Sequence, residues 1–224
     1  KSLYMNNLST IQTIAIYILP LIFAITIHEA AHAYTANKFG DNTAKLSGRL
    51  SLNPINHIDP LGTIIFPLIS IVMGSMIGGG LIFGWAKPVP INFGKLNQPK
   101  KDLFWVASAG PLSNLIMALM WALAMKGATY LPSSYFATPL IMMGQAGIGI
   151  NISLMILNLL PILPLDGGRM VLSVLPQSQA IKYAQTERYG MWVILILLMI
   201  GGLNFIIQPL YHLLVSIIYK LLLV

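Results

Sequence analysis

The stretch LPLIFAITIHEAAHAYTANKFG, residues 19–40, decides how the rest of the chain is read. An apolar run from Ile14 to Ile27 meets His28, Glu29 and His32 with no turn signal between them. Residues four apart share a helix face, so His28 and His32 point the same way and Glu29 lies one step round. The plain alternative is a pair of core histidines bonded to neighbouring helices. A membrane setting weighs against it, because a charged side chain at the bilayer centre costs at least about 2.5 kcal/mol and such residues mark functional sites.

The composition supplies that setting. Of 224 residues, 56% are hydrophobic and 8% charged, where a soluble domain carries about a quarter charged residues. This identifies an integral membrane protein. Thirteen Lys and Arg exceed six Asp and Glu, but the basic residues sit in short loops between apolar runs. They read as topology determinants rather than as a nucleic-acid surface. The absence of cysteine excludes disulfides and thiolate metal ligands. No short apolar segment followed by small residues marks a cleaved signal peptide near the start, so targeting is expected to come from the first span.

Apolar segments cover 10–36, 61–84, 103–125, 138–163 and 191–218. Four are long enough for the roughly 20 residues a crossing needs. The segment 61–84 holds Pro67, Gly74, Gly78, Gly79 and Gly80, which break or kink helices. A re-entrant hairpin and a single span both remain open for it. Between the apolar runs, Arg49-Leu50-Ser51-Leu52 alternates like a short strand. Pro88 and Pro90 around Val89 and Ile91 follow an edge-strand pattern. Asp59 followed by Pro60 reads as an N-cap with proline at the first helical position. The last run, from Met191 to Val224, is longer than one crossing needs, with Pro209 as a point of division. The fold expected is an all-α polytopic membrane protein of about four to six transmembrane helices, with a re-entrant hairpin and a small membrane-associated β region. No internal repeat or long linker is evident, and residues 1–224 read as a single membrane-embedded domain.

HExxH on a helix is the zinc-hydrolase arrangement: two imidazole ligands and a carboxylate that acts on water at the metal. A third protein ligand leaves one position open. His57, Asp59, Asp41 and Asp102 lie in polar loops, and His212 lies far along the last apolar run beside Tyr211, where it reads as a packing residue. Asp166, in NLLPILPLDGGRM, follows Pro161 and Pro164 and precedes Gly167 and Gly168, which permit a tight backbone path. It is a cap for the next segment or the third ligand, and the second reading is preferred. Asp166 reaches the histidines only if an even number of crossings separates them, which the re-entrant reading of 61–84 satisfies. On that reading, loops 37–60, 85–102 and 164–190 share one side and hold ten of the thirteen basic residues, so the metal faces the cytoplasm. Asn114, Asn151 and Asn204 are polar groups inside apolar runs that bridge helices, with Asn114 a candidate to support the site. Gly144, Gly147 and Gly149 fit close helix packing.

HEAAH in the first span, AGPLSN at 109–114 and NLLPILPLDGG at 158–168 together resemble the site-2 protease family of intramembrane zinc metalloproteases. The match spans nearly the whole chain. GRLSLNPINHIDPLGT and FGWAKPVPIN resemble its compact bacterial branch, which lacks an inserted PDZ domain. The resemblance implies one Zn2+ held by His28, His32 and Asp166, with Glu29 catalytic and Asn158 and Pro161 holding substrate. It implies a β-rich membrane-associated loop at residues 46–58. It further implies cleavage of single-span membrane proteins within their transmembrane segments, in the bacterial cytoplasmic membrane. A divalent-metal transporter and a non-catalytic membrane-protein-binding relative are the alternatives. The first lacks the inverted repeats such folds show, and an intact HEAAH and LDGG argue against the second.

Overall fold

The computed structural model describes residues 9–57, 59–65, 69, 87–132 and 136–222. The first helix, α1 (Thr10–Lys38), starts at a capping box: Ser9 Oγ accepts from Gln12 N, and the Gln12 side chain accepts from Ser9 N. It ends where Gly40 takes a left-handed φ of 103°, which a glycine adopts without strain. A short α2 (Thr43–Leu46) follows. The second long helix, α3 (Pro99–Thr129), opens with proline in its first turn, and Asp102 reaches back to accept from Gln98 N at 2.6 Å. Then come α4 (Ala137–Asn158), α5 (Asp166–Val174), α6 (Gln177–Ala184), α7 (Glu187–Met199) and α8 (Gly202–Leu222).

Among the described residues, four helices are long and apolar enough to cross a membrane: α1, α3, α4 and α8. At 29 and 31 residues, α1 and α3 each rise about 45 Å, more than the roughly 30 Å of hydrocarbon. The chain is a multi-pass, α-helical membrane protein. The last apolar run divides at Gly201 (φ 72°), while Pro209 lies within α8. Left-handed backbone ends a helix more sharply than a proline that neighbouring helices tolerate.

Helix α3 is the central element, packed against α1, α4, α5 and α8. Its contact with α4 is built from small residues. Ala118 and Ala122 face Ile148 and Ile152, all essentially buried. A Cβ on Gly147 would run into the Trp121 ring. Close approach of this kind suits helices associating in lipid, where packing rather than water exclusion drives contact. The opposite side of α3 leaves Trp105, Leu112, Ile116 and Met120 exposed, as a lipid-facing surface requires.

The expected β region is absent: no strand occurs among the described residues. Residues 46–57 satisfy their backbone within turns instead. Arg49 N donates to Ala44 O, His57 N donates to Pro54 O, and Asn53 Oδ1 accepts from Ile55 N at the start of a 3-10 turn, Pro54–Asn56. Residues 87–92 are extended, but Pro88 and Pro90 have no N–H for a ladder. Three of the four donors that remain go elsewhere: Lys87 N to His57 O, Val89 N to Glu29 Oε2 and Asn92 N to Asp41 Oδ2. Asp59 Oδ1 accepts from Gly62 N at the start of a π-helical turn, Pro60–Ile65. The hairpin expected at 61–84 lies, beyond 61–65 and 69, outside the described residues.

Candidate metal centre

Three elements meet at one point. Helix α1 presents His28 and His32, α5 presents Asp166 from its first residue, and α3 passes between them with Gly110. A Cβ on Gly110 would strike His32 Nε2 and the His28 ring, so the absence of a side chain there makes room for both imidazoles. Glycines 167 and 168 serve a related purpose. A Cβ on Gly167 would collide with the Leu159 carbonyl, and one on Gly168 would lie 2.6 Å from Leu163 N. Neither has a positive φ. They let α5 start hard against the 159–163 turn, which sets Asp166 in place.

The three residues are 7–9% exposed. His28 Nε2 and His32 Nε2 lie 3.1 Å apart. Asp166 Oδ2 is 3.2 Å from His28 Nε2, and Asp166 Oδ1 is 3.2 Å from His32 Nε2. The far side of each ring is occupied. His32 Nδ1 is 2.7 Å from Val106 O, which only accepts, so Nδ1 carries the proton. His28 Nδ1 lies 2.5 Å from Asn114 Oδ1 and donates to it. With each Nδ1 engaged, both rings turn Nε2 toward each other and toward a carboxylate, an arrangement that a shared cation would hold together. Asp166 Oδ2 is buried and makes no hydrogen bond. Zinc bonds of about 2.0–2.1 Å in tetrahedral geometry place ligand atoms about 3.3 Å apart. The spacings of 3.1–3.2 Å match that value, and two imidazoles with one carboxylate form a zinc-type donor set.

Glu29 is half-buried on the adjacent face of α1, and its Oε2 accepts from Val89 N at 2.9 Å. Asn158 donates to Leu154 O on its own helix, and the Pro161 carbonyl accepts from Tyr183 Oη at 2.9 Å. Neither Asn158 nor Pro161 is hydrogen-bonded to His28, His32 or Asp166 among the described residues. Outside the cluster, His57 is fully buried with Nε2 donating to Ser51 O, and His212 is exposed, edge-on to Tyr211. Asp41 and Asp102 serve as caps and loop ties. Burial would raise the Asp41 carboxyl, but hydrogen bonds from Thr43 and Asn92 and the charge of Lys95 outweigh it and hold it below the usual carboxylate range.

Several contributors escape a reading of the sequence. Gly110, the Val106 carbonyl and the Val89 N–H act through backbone or through an absent side chain. Asn114 and Asn151 show only as polar residues in apolar helices, which is the one signal available for them.

A family model described as Peptidase family M50 matches residues 128–201. Among curated proteins, the chain is 38% identical to "Putative zinc metalloprotease YwhC" of Bacillus subtilis, across 87% of this chain and 85% of that protein. It is 28% identical to "Putative zinc metalloprotease Rip2" of Mycolicibacterium smegmatis, across 89% of this chain and 73% of that one. The Rip2 protein of Mycobacterium tuberculosis strain H37Rv is 25% identical across 82% of this chain and 66% of its own length. No solved structure matches the chain. The buried His-His-Asp donor set, the helical membrane fold and the extent of the match to YwhC lead to one assignment: the chain belongs to peptidase family M50, the site-2-protease-like zinc metalloproteases.

Proposed function

We propose that this M50 peptidase holds one zinc ion through His28 Nε2, His32 Nε2 and Asp166, and cleaves single-span membrane proteins within their transmembrane segments with Glu29 moving the proton. The observation that carries the reading is the convergence of two imidazole Nε2 atoms and a carboxylate at 3.1–3.2 Å. Bound zinc supplies Lewis acidity that polarises a peptide carbonyl and makes water nucleophilic near neutral pH.

The chain's own residues supply the rest. Val89 N–H holds Glu29 Oε2, which leaves Oε1 to take the proton from the attacking water. Glu29 then returns that proton to the amine nitrogen as the peptide bond breaks. The resemblance to the family assigns Asn158 and Pro161 to substrate. Asn158 serves by exchanging its bond to Leu154 O for one to a substrate carbonyl. The Pro161 carbonyl is pinned by Tyr183, which holds the backbone of that turn for substrate. The excess of Lys and Arg in loops 37–60, 85–102 and 164–190 supports an active site facing the cytoplasm of a bacterial cell.

The test is zinc content and cleavage of a fluorogenic single-span substrate in proteoliposomes, for wild type, Glu29→Gln and Asp166→Ala. We expect one zinc per wild-type chain. Glu29→Gln keeps the zinc and loses cleavage by about 10²–10⁴-fold, the usual contribution of a general base, while Asp166→Ala loses both. Full cleavage by Glu29→Gln, or zinc retained without Asp166, overturns the assignment. Zinc flux across the vesicle membrane that survives Glu29→Gln supports a transporter instead.

A further inference from the structure

We infer that Asn114 and Asn151 form a directional relay that fixes His28 as a metal ligand, an inference that rests on the zinc reading above. The relay crosses three helices. His28 Nδ1 on α1 meets Asn114 Oδ1 on α3, Asn114 Nδ2 donates to Asn151 Oδ1 on α4 at 3.0 Å, and Asn151 Nδ2 donates to Gly147 O at 2.8 Å. Both asparagines are 0% exposed, so no solvent competes for these groups.

The direction of the chain follows from its last member. A carbonyl oxygen accepts and never donates, so Gly147 O obliges Asn151 to turn its NH2 inward along its own helix. That leaves Asn151 Oδ1 facing Asn114, and an oxygen there obliges Asn114 to present its own NH2. Asn114 Oδ1 is then left toward His28. Facing an acceptor, His28 keeps its proton on Nδ1 and aims the Nε2 lone pair at the cluster. Reversing either amide would set two donors or two acceptors against each other in a dry site, where an unsatisfied polar group is costly. His32 reaches the same state more directly, through Val106 O. His28 has no backbone carbonyl in that role, and the two amides carry the polarity of one from α4.

This makes Asn114 and Asn151 positioning residues: they touch neither metal nor substrate and act through the tautomer and ring orientation of His28. Partners of this kind typically change metal affinity 10–100-fold when removed. The test measures the zinc dissociation constant by competition with a chromophoric chelator, on the full chain in detergent, with the unfolding of the zinc-free protein as a control on the fold. Asn114→Leu and Asn151→Leu should each weaken zinc binding about 10–100-fold. Asn114→Asp should stay within about threefold of wild type, because its carboxyl, carrying a proton in this dry site, donates O–H to Asn151 Oδ1 and accepts the same Nδ1–H from His28. A structural role alone predicts no such rescue.

Leucine variants that bind zinc as tightly as wild type overturn the relay. So does an aspartate variant that loses as much affinity as leucine while unfolding like wild type. If a leucine variant does not fold, Asn114→Asp decides: near-wild-type affinity supports the relay, and a tenfold or greater loss overturns it. A wild-type chain that takes up no zinc overturns the metal reading itself, which separates the two failures.

Discussion

The backbone N–H of Val89 donates to Glu29 Oε2 at 2.9 Å, and it joins the loop after the second segment of the chain to the HExxH helix. Val89 is buried against Ala33 and Ala44, and its two neighbours are prolines with no donor of their own. Between the two prolines the backbone thus offers a single hydrogen, and the carboxylate takes it.

Val89→Pro removes that hydrogen while keeping an extended backbone, and Val89→Ala keeps it. We expect Val89→Pro to cleave a fluorogenic substrate about 10–100-fold more slowly with zinc content unchanged, since small misplacements of a catalytic group cost up to about 10² in rate. Val89→Ala should stay near wild type. Equal activity in the two variants would show that the contact does not position Glu29.

Gly110→Ala sets a methyl group where His32 Nε2 and the His28 ring lie. Alanine favours the helix over glycine by about 1 kcal/mol, so α3 should form at least as well. Zinc affinity should nevertheless fall about tenfold or more, as it does when ligand orientation is disturbed. The measurement is chelator competition beside circular dichroism, and retained affinity would mean that the imidazoles have room to retreat.

Asp41 ties the end of α1 to the start of the 93–98 turn, accepting from Thr43 N at 3.0 Å and Asn92 N at 2.7 Å as well as from Thr43 Oγ1. Replacing it with alanine removes the shared acceptor of these part-buried bonds and should cost about 1–3 kcal/mol in all. Its carboxyl is held below the usual range, so its contribution is fully present above the unfolded value of about 3.9 and fades as pH falls through the lower folded one. Unfolding of wild type and Asp41→Ala compared from pH 7 downward should show a constant gap that narrows below about pH 4. A gap independent of pH would assign the effect to packing.

Tyr183→Phe deletes the bond to the Pro161 carbonyl and little else. A loss of about 1 kcal/mol in stability is expected, with zinc content intact and KM raised more than kcat is lowered if Pro161 lines the substrate groove. Unchanged KM would separate Pro161 from substrate.

The membrane class and the pairing of His28 with His32 are legible because each rests on a short-range rule, hydropathy in one case and helical periodicity in the other. Asp166 is legible by its chemistry among few acids. The β region failed for a definite reason. Alternation and proline placement suggest a strand edge, but a ladder needs free N–H groups, and Lys87, Val89 and Asn92 commit theirs to His57, Glu29 and Asp41. The same two prolines that suggested an edge leave Val89 as the lone donor between them. The break at Gly201 rather than Pro209 was hidden because lipid-embedded helices accommodate proline. The roles of Gly110 and Val106 O have no sequence signature, since one is a missing atom and the other a group every residue carries.

The distribution of the three donors along the chain also bears on how the protein is made. His28 and His32 emerge early in synthesis, whereas Asp166 follows only after α3 and α4 have been laid across the bilayer. The donor set is therefore a product of the whole helical arrangement: it exists only in a chain whose α3 and α4 are laid so that Asp166 returns to the two histidines.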